Sequence, residues 1–354
     1  MATINRDFVD PAELTSQVRT SLAELEVNSP NSLAKYLPSE TLDDIEFDAA
    51  AGQGGLIEAA MYRAYDAGLP IARDEELGRM RGRIAPLGQK IPILEEARLR
   101  MRKDSENALT KAVVRKGKRI AEAIAIQVNL KRGELLADGK LHFVGNDQNF
   151  DVDSGRKAEF TTTLAELWSD PDADPIESLT ILADAFEDEN GFRAATMLSG
   201  KAAKTAFYRH PKVTAMAIGA LGNPARIATD GEVANLLSLY DLPSFTVNTG
   251  KVKVRNDDGT NTIKYLIPQD SIILIGDNAG SAEIAGSSEL GSTFWGVTIE
   301  ATKSAWGIEE SEWAGIVTAV FDNETVPAIM SVEGTAIATP VLLNPNYTLR
   351  AKVV

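Results

Sequence analysis

Between residues 102 and 140 the chain reads RKDSENALTKAVVRKGKRIAEAIAIQVNLKRGELLADGK, with no proline and one glycine, Gly117, before Gly133. Leu109, Val113, Ile120, Ile124 and Val128 recur at spacings of four and seven, which puts them on one helical face. The pattern predicts a single helix of about 30 residues, about 45 Å long at 1.5 Å per residue, where globular helices usually stop at half that. Lys116 and Gly117 interrupt the apolar stripe, so a bend is expected there.

A second helical stripe lies upstream. Asp10 is placed as an N-cap, Pro11 at the first helical position and Glu13 at the third, followed by Leu14, Val18, Leu22 and Leu25 on one face. The rest of residues 1–47 reads as an extended arm, too thin to hold a core and expected to need a partner surface. GQGG at 52–55 is a flexible joint. Residues 56–93 read as a long hairpin. Ile57, Ala59, Met61, Arg63 and Tyr65 alternate with Glu58, Ala60, Tyr62, Ala64 and Asp66. In the return segment Arg79, Arg81 and Arg83 share one face, and Met80, Gly82 and Ile84 the other. A lone hairpin is marginal in water, so this one is expected to lie on another surface.

After the long helix come two short strands, LHFVG and FDVDSG, with turn residues in GNDQN between them. Helices are then expected over 176–186, from about 199 to HPKV, and over 231–240. Strands follow in SFTVNTGKVKV, NTIKYLIP and SIILIG. From Ser292 the chain is strand-rich: STFWGVTIEAT, AGIVTAVFD, TPVLLN and TLRAKVV, with NPNY at 344–347 as the turn of a terminal hairpin. This is an α+β pattern without internal repeats.

Charge changes the picture. The 354-residue chain has a net charge of -15, yet 98–119 holds nine basic residues against Asp104 and Glu106. Residues 158–192 carry ten acids and no Lys or Arg, and ETLDDIEFD at 40–48 is a second acidic run. Segregated blocks form solvated faces, or they meet across subunits in a self-assembling protein. The acidic balance argues against general coating of nucleic acid. The length suggests two subdomains.

Candidate chemistry is sparse. With no Cys and only His142 and His210, thiol nucleophiles, disulfides and imidazole zinc clusters are excluded or improbable. ATMLSGKA at 195–202 misses a phosphate-binding loop, with Ala195 at the first glycine position and Ala202 at the magnesium-binding Ser/Thr; a helix N-cap at Ser199 is the plainer reading. DPDADPIE at 170–177 alternates acids as a calcium loop does, but Pro175 stands where glycine is needed. His142 reads as structural, and Trp168, Trp295, Trp306 and Trp313 as core or interface. No apolar run reaches membrane-span length, the N-terminal residues lack a signal-peptide pattern, and no cofactor is expected.

The order of arm, hairpin, long helix, strands, α+β insertion and closing strands resembles that of tailed-phage major capsid proteins, the Hong Kong 97-like fold shared with encapsulins. More closely it resembles the lambda-type major capsid protein E family. The resembling stretches are GRIAPLGQKIPI (82–93), ELLADGKL (134–141), FDVDSGR (150–156), LWSDPDADPIESL (167–179), AFYRHPKV (206–213) and TPVLLNPNYTLRAKVV (339–354). FRAATMLSGKAAK departs from the family pattern in lacking an aromatic after the serine. The resemblance implies an N-terminal arm over 1–47, an extended loop over 48–92, a peripheral domain from 93–163 and 290–354 built on the long helix as spine, and an axial domain over 164–289.

It further implies a non-enzymatic head protein that assembles in the host cytoplasm into hexamers and pentamers of an icosahedral virion shell. The shell would enclose double-stranded DNA without sequence specificity. Portal, a separate scaffolding protein and a decoration protein are the implied partners, with no membrane. The alternatives are an encapsulin-like compartment and, from another class, a soluble enzyme using carboxylates. Candidate subunit contacts are Leu14, Val18, Leu22 and Leu25 on the arm; Arg79, Arg81 and Arg83 on the hairpin, facing acids of an adjacent subunit; and Lys111, Arg115, Lys118 and Arg119 on the spine helix.

Overall fold

The computed structural model describes residues 2–51, 78–101, 106–145, 148–218, 227–255, 259–276, 290–323 and 329–354. The chain opens with β1 (Ala2–Ile4), α1 (Pro11–Asn28), β2 (Ser39–Thr41), β3 (Glu46–Ala51), β4 (Gly78–Arg83) and β5 (Pro86–Ile93). A short α2 (Glu95–Met101) precedes the long α3 (Glu106–Asp138), and β6 (Lys140–Gly145), β7 (Gln148–Asp153) and β8 (Thr161–Thr163) follow. Next come α4 (Pro175–Asn190), β9 (Thr196–Ser199), α5 (Lys201–Arg209), α6 (Pro211–Ile218), α7 (Asp230–Leu239), β10 (Phe245–Val247), β11 (Lys251–Arg255), β12 (Asn261–Tyr265) and β13 (Ser271–Ile275). The last strands are β14 (Gly291–Gly296), β15 (Val317–Asn323), β16 (Met330–Leu342) and β17 (Thr348–Lys352).

Two sheets organise these elements. Six strands form the first, in the order β1-β15-β16-β14-β2 with β5 alongside β16. Five form the second, β10-β9-β13-β17-β8. Among the described residues there are also three two-stranded ribbons, β3–β4, β6–β7 and β11–β12.

The long helix is the expected strut. Its 33 residues span about 50 Å. Val113, Ile120, Ile124 and Val128 are buried as the stripe requires, and Leu109 packs beside them. These residues lie against the first sheet, with Val320, Val332 and Ala336. The last turns do something else: Leu130, Leu135, Leu136 and Ala137 enter the core under the second sheet, with Leu198, Ile273 and Ile275. One helix therefore spans both sheets.

Its two glycines have distinct reasons. Gly117 faces α1, where a β-carbon would sit 3.1 Å from Leu14 Cδ1 and 3.2 Å from Val18 Cγ2. The helix runs through it unbroken, so its role is close approach of a neighbouring helix rather than an end. At Gly133 a β-carbon would lie 1.8 Å from the Leu266 carbonyl oxygen, so any side chain there expels the strand end from the helix. The helix ends where ELLADGKL turns. Arg156, from FDVDSGR, then donates to the Leu136 and Ala137 carbonyls at that C-terminus, where a cation is favoured. Burial pushes the Arg156 guanidinium down to about 10.

Much of the segment read as an arm finds a partner surface within its own chain. Asp10 does cap α1, accepting from the Ala12 amide, with Pro11 at the first position. But Leu14 and Val18 are fully buried against α3 and β15 of their own chain. Thr15 Oγ1 accepts from the Thr318 amide at 3.0 Å, and Arg19 donates to the carbonyls of Ile316 and Glu312. Leu33, Tyr36 and Leu37, in a stretch without helical or strand period, are buried under the second sheet. The Arg132 guanidinium, 1% exposed, closes this junction: it pairs with Glu26 at 2.8 Å and donates to Ser39 Oγ and Thr293 Oγ1. Residues 2–41 are thus part of the subunit core, because a buried cation on the spine requires their oxygens.

Two further expectations are corrected. NPNY is not a hairpin turn: it is a 3-10 turn that carries the chain from β16 in the first sheet to β17 in the second. Consequently β17 hydrogen-bonds to β13 in the second sheet, and β8 to the other edge of β17. The TPVLLN strand is the end of a 13-residue strand that begins at Met330.

Two measurements check this account. Glu26→Ala leaves the Arg132 charge buried without its carboxylate and is expected to lower unfolding free energy by about 3–5 kcal/mol in urea denaturation, with Glu26→Gln milder. A chain lacking residues 1–47 is expected to aggregate or lose cooperative melting, because it uncovers the Val113 and Gly117 face of α3. Soluble truncated chain with a native melting profile would contradict it.

Candidate functional site

The residues expected to meet a neighbour fall into three groups, and the structure treats each differently. On α1, Leu14 and Val18 are consumed by the subunit core, and Leu22 and Leu25 are half-buried, Leu22 against that same core. The apolar stripe is not a free surface.

On the hairpin, β3 pairs antiparallel with β4 in the register Glu46↔Arg83, Asp48↔Arg81 and Ala50↔Arg79. Directly opposite residues share a face. Arg81 Nη2 therefore lies 3.0 Å from Asp48 Oδ2, and Arg83 Nε 3.2 Å from Glu46 Oε1. Both acids belong to the ETLDDIEFD block of the same chain. Both arginines are exposed, so each pair adds no more than about 1 kcal/mol. The opposite face carries Phe47, buried and stacked on Phe294 at 5.8 Å. The ladder runs out toward residues 52–77; these hold the GQGG joint and the Ile57–Asp66 alternation, and they lie outside the described residues.

On the spine helix, Lys111, Arg115 and Lys118 recur at four and seven residues, with Arg119 beside them, away from the buried stripe. All four are exposed and have no ion pair among the described residues. Lys116 is engaged, donating to the Pro92 carbonyl at 3.2 Å. The helix thus presents a row of free cations in a chain of net charge -15.

The candidate chemical motifs resolve into structure. ATMLSGKA is a strand–turn–helix, β9 into α5, as a phosphate loop would be. The N-cap is Gly200 rather than Ser199, and Ser199 is a buried strand residue. Gln269 fills the place an anion would take: its Oε1 accepts from the Lys201 amide and its carbonyl from the Ala203 amide, both at 3.0 Å. In DPDADPIE, Asp174 caps α4 and Pro175 starts it. Among the described residues no group of three or more metal-ligating side chains converges, and no helix is long and apolar enough to cross a membrane. His142 pairs with Asp151 across the β6–β7 ribbon, and His210 is buried with its Nε2 3.0 Å from the Asp170 carbonyl. Trp168, Trp295 and Trp306 are core residues, and Trp313 packs at the edge of the core around Trp306.

Two sets of charged residues escaped the sequence reading. Arg132 and Glu26 were invisible because nothing local marks a buried pair more than a hundred residues apart. Lys251, Lys253 and Arg255 had a signal, the alternation KVKVR, which puts three cations on one strand face.

Comparison with known proteins follows the fold. The family described as phage major capsid protein E matches residues 42–288. No curated protein matches the chain. Among solved structures, a prophage protein of E. coli CFT073 assigned as its capsid protein superposes with a TM-score of 0.61 over 100% of both chains at 15% identity. A phage-related protein from Bordetella bronchiseptica RB50 gives 0.55 over 99% of this chain and 98% of its own, at 14% identity. At these identities the likeness is one of fold.

The hairpin pairing is testable in place. Arg81→Glu with Arg83→Glu is expected to speed amide hydrogen exchange along 46–51 and 78–83 several-fold, and adding Glu46→Lys with Asp48→Lys to restore it. Unchanged exchange in the first variant would mean that the pairs hold nothing.

Proposed function

The chain belongs to the phage major capsid protein E family, and from that premise we propose that it is a lambda-type head protein. It self-assembles as hexamers and pentamers into an icosahedral shell around double-stranded DNA, with a separate scaffolding protein. In this reading the first sheet and α3 form the peripheral part of each subunit, and the second sheet with α4–α7 the axial part. The β3–β4 ribbon is the root of the extended loop.

The observation that carries the reading is the row Lys111, Arg115, Lys118 and Arg119. A folded subunit gains nothing from four adjacent free cations, which repel one another, while acids crowd elsewhere. Such a row is useful only against negative charge outside the subunit. A free subunit of charge -15 repels DNA as a whole, so the first partner of the row is acidic surface on a neighbour, and many such weak contacts sum to a closed shell.

Electron microscopy of the expressed protein, with and without its scaffolding partner, tests the shell. Changing Lys111, Arg115, Lys118 and Arg119 to Gln is expected to lower the yield or melting temperature of shells free of DNA. Raising salt should mimic the change. Empty shells of this variant that form and melt like the parent, with loss confined to DNA-filled particles, would assign the row to the genome instead. In that case binding should weaken by roughly 0.9 log units per log unit of salt for each phosphate neutralised.

A further inference from the structure

The ribbon β11–β12 has one face in the core and one in solvent. Val252 is buried under the second sheet, and Val254 packs beside it. The register Lys251↔Tyr265, Lys253↔Ile263 and Arg255↔Asn261 puts those six side chains together on the other face. There Ile263 is 68% exposed and Tyr265 41%, with Lys251 Nζ 5.0 Å from the Tyr265 ring centre. Lys251, Lys253 and Arg255 are exposed and have no ion pair among the described residues. The turn 256–258 lies outside the described residues.

Helix α4 has the complementary surface. Ile176, Leu179, Leu182, Ala183 and Phe186 bury its inner side. Outward, Glu177, Ile181, Asp184 and Asp188 fall at intervals of four, three and four, a single stripe. Ile181 is 61% exposed between the acids. Asp184 bonds Arg193 at 2.8 Å, and Glu177 and Asp188 have no ion pair among the described residues.

The two faces lie on opposite sides of one sheet. Helix α4 packs with Ile272, Leu274, Leu349 and Ala351 on one side of it, and the ribbon with Ile273 and Ile275 on the other. A subunit therefore cannot lay its ribbon on its own α4, but a second copy can. Resting on the shell reading above, we infer that the free ribbon face of one subunit docks on the α4 stripe of the next. Ile263 meets Ile181, and Lys251, Lys253 and Arg255 face Glu177, Asp184 and Asp188. The apolar pair excludes water at the centre and the charges fix orientation. Because the two patches differ, the contact is head-to-tail, and repetition closes a ring.

Charge swapping reads this directly. Variant one carries Lys251→Glu, Lys253→Glu and Arg255→Glu; variant two carries Glu177→Lys and Asp188→Lys; variant three carries both sets. All changes are at exposed positions, and circular dichroism with thermal melting checks each fold. Capsomers and shells are scored by native mass spectrometry and electron microscopy beside the parent.

Variants one and two are expected to lose capsomers at least tenfold when expressed alone, and variant three to regain them. An equimolar mixture of one and two is expected to form hexamers of alternating subunits and no pentamers, since an odd ring must contain one mismatched contact. Capsomers of variants one and two at parental yield would overturn the inference and leave the shell reading standing. So would failure of both variant three and the mixture while the parent assembles, or a defect of variant one confined to DNA retention. A parent chain that forms no shell even with its scaffolding partner would remove both readings.

Discussion

A guanidinium buried to 1% exposure is the constraint on which this subunit is built. Removing such a charge from water costs several kcal/mol unless every donor is met. Burial pulls Arg132 below the usual arginine range, and Glu26 opposes the shift. Its partners come from three distant places: Glu26 on α1, Ser39 on β2 and Thr293 on β14. Ser39 also bonds Glu26 and accepts from Trp295 Nε1. None of these segments can leave the spine helix without stranding the cation, so the N-terminal helix, the sheet edge and the strut are held as one unit.

The strut extends that unity to the second sheet. Its first turns are covered by α1 and the six-stranded sheet, and its last turns lie under β9 and β13. Gly133 admits the Leu266 carbonyl at a distance no side chain permits, and Arg350 of β17 pairs with Asp138 at the helix end. Charged faces on α3, on α4 and on the β11–β12 ribbon are therefore fixed relative to one another by a continuous core.

What could be read from the sequence was whatever is periodic. The α3 stripe, the Asp10-Pro11 helix start, the β6–β7 ribbon and the helices near 176, 201 and 230 all appear close to their expected places. Non-local pairing was not legible. Leu33, Tyr36 and Leu37 follow no period, so nothing local distinguishes a segment that completes a core from an extended arm. The first half of β16 contains Glu333 and Gly334, which hide a strand; Gly334 is small because Ile120 of α3 lies over it. The turn chemistry of NPNY says that the chain reverses, not which sheet it enters. For the arginines of β4, only the register shows that Glu46 and Asp48 of the same chain stand opposite Arg83 and Arg81.

The strand order of the second sheet also bears on timing. Strand β8, at 161–163, has β17, at 348–352, as its neighbour in the sheet, and β13 leans on β17 along its other edge. Contacts of such sequence separation form late. During synthesis the platform that carries α4 stays incomplete until residue 352 has left the ribosome. The outward stripe of α4 is therefore presented on a finished platform only once β17 has closed the sheet between β13 and β8.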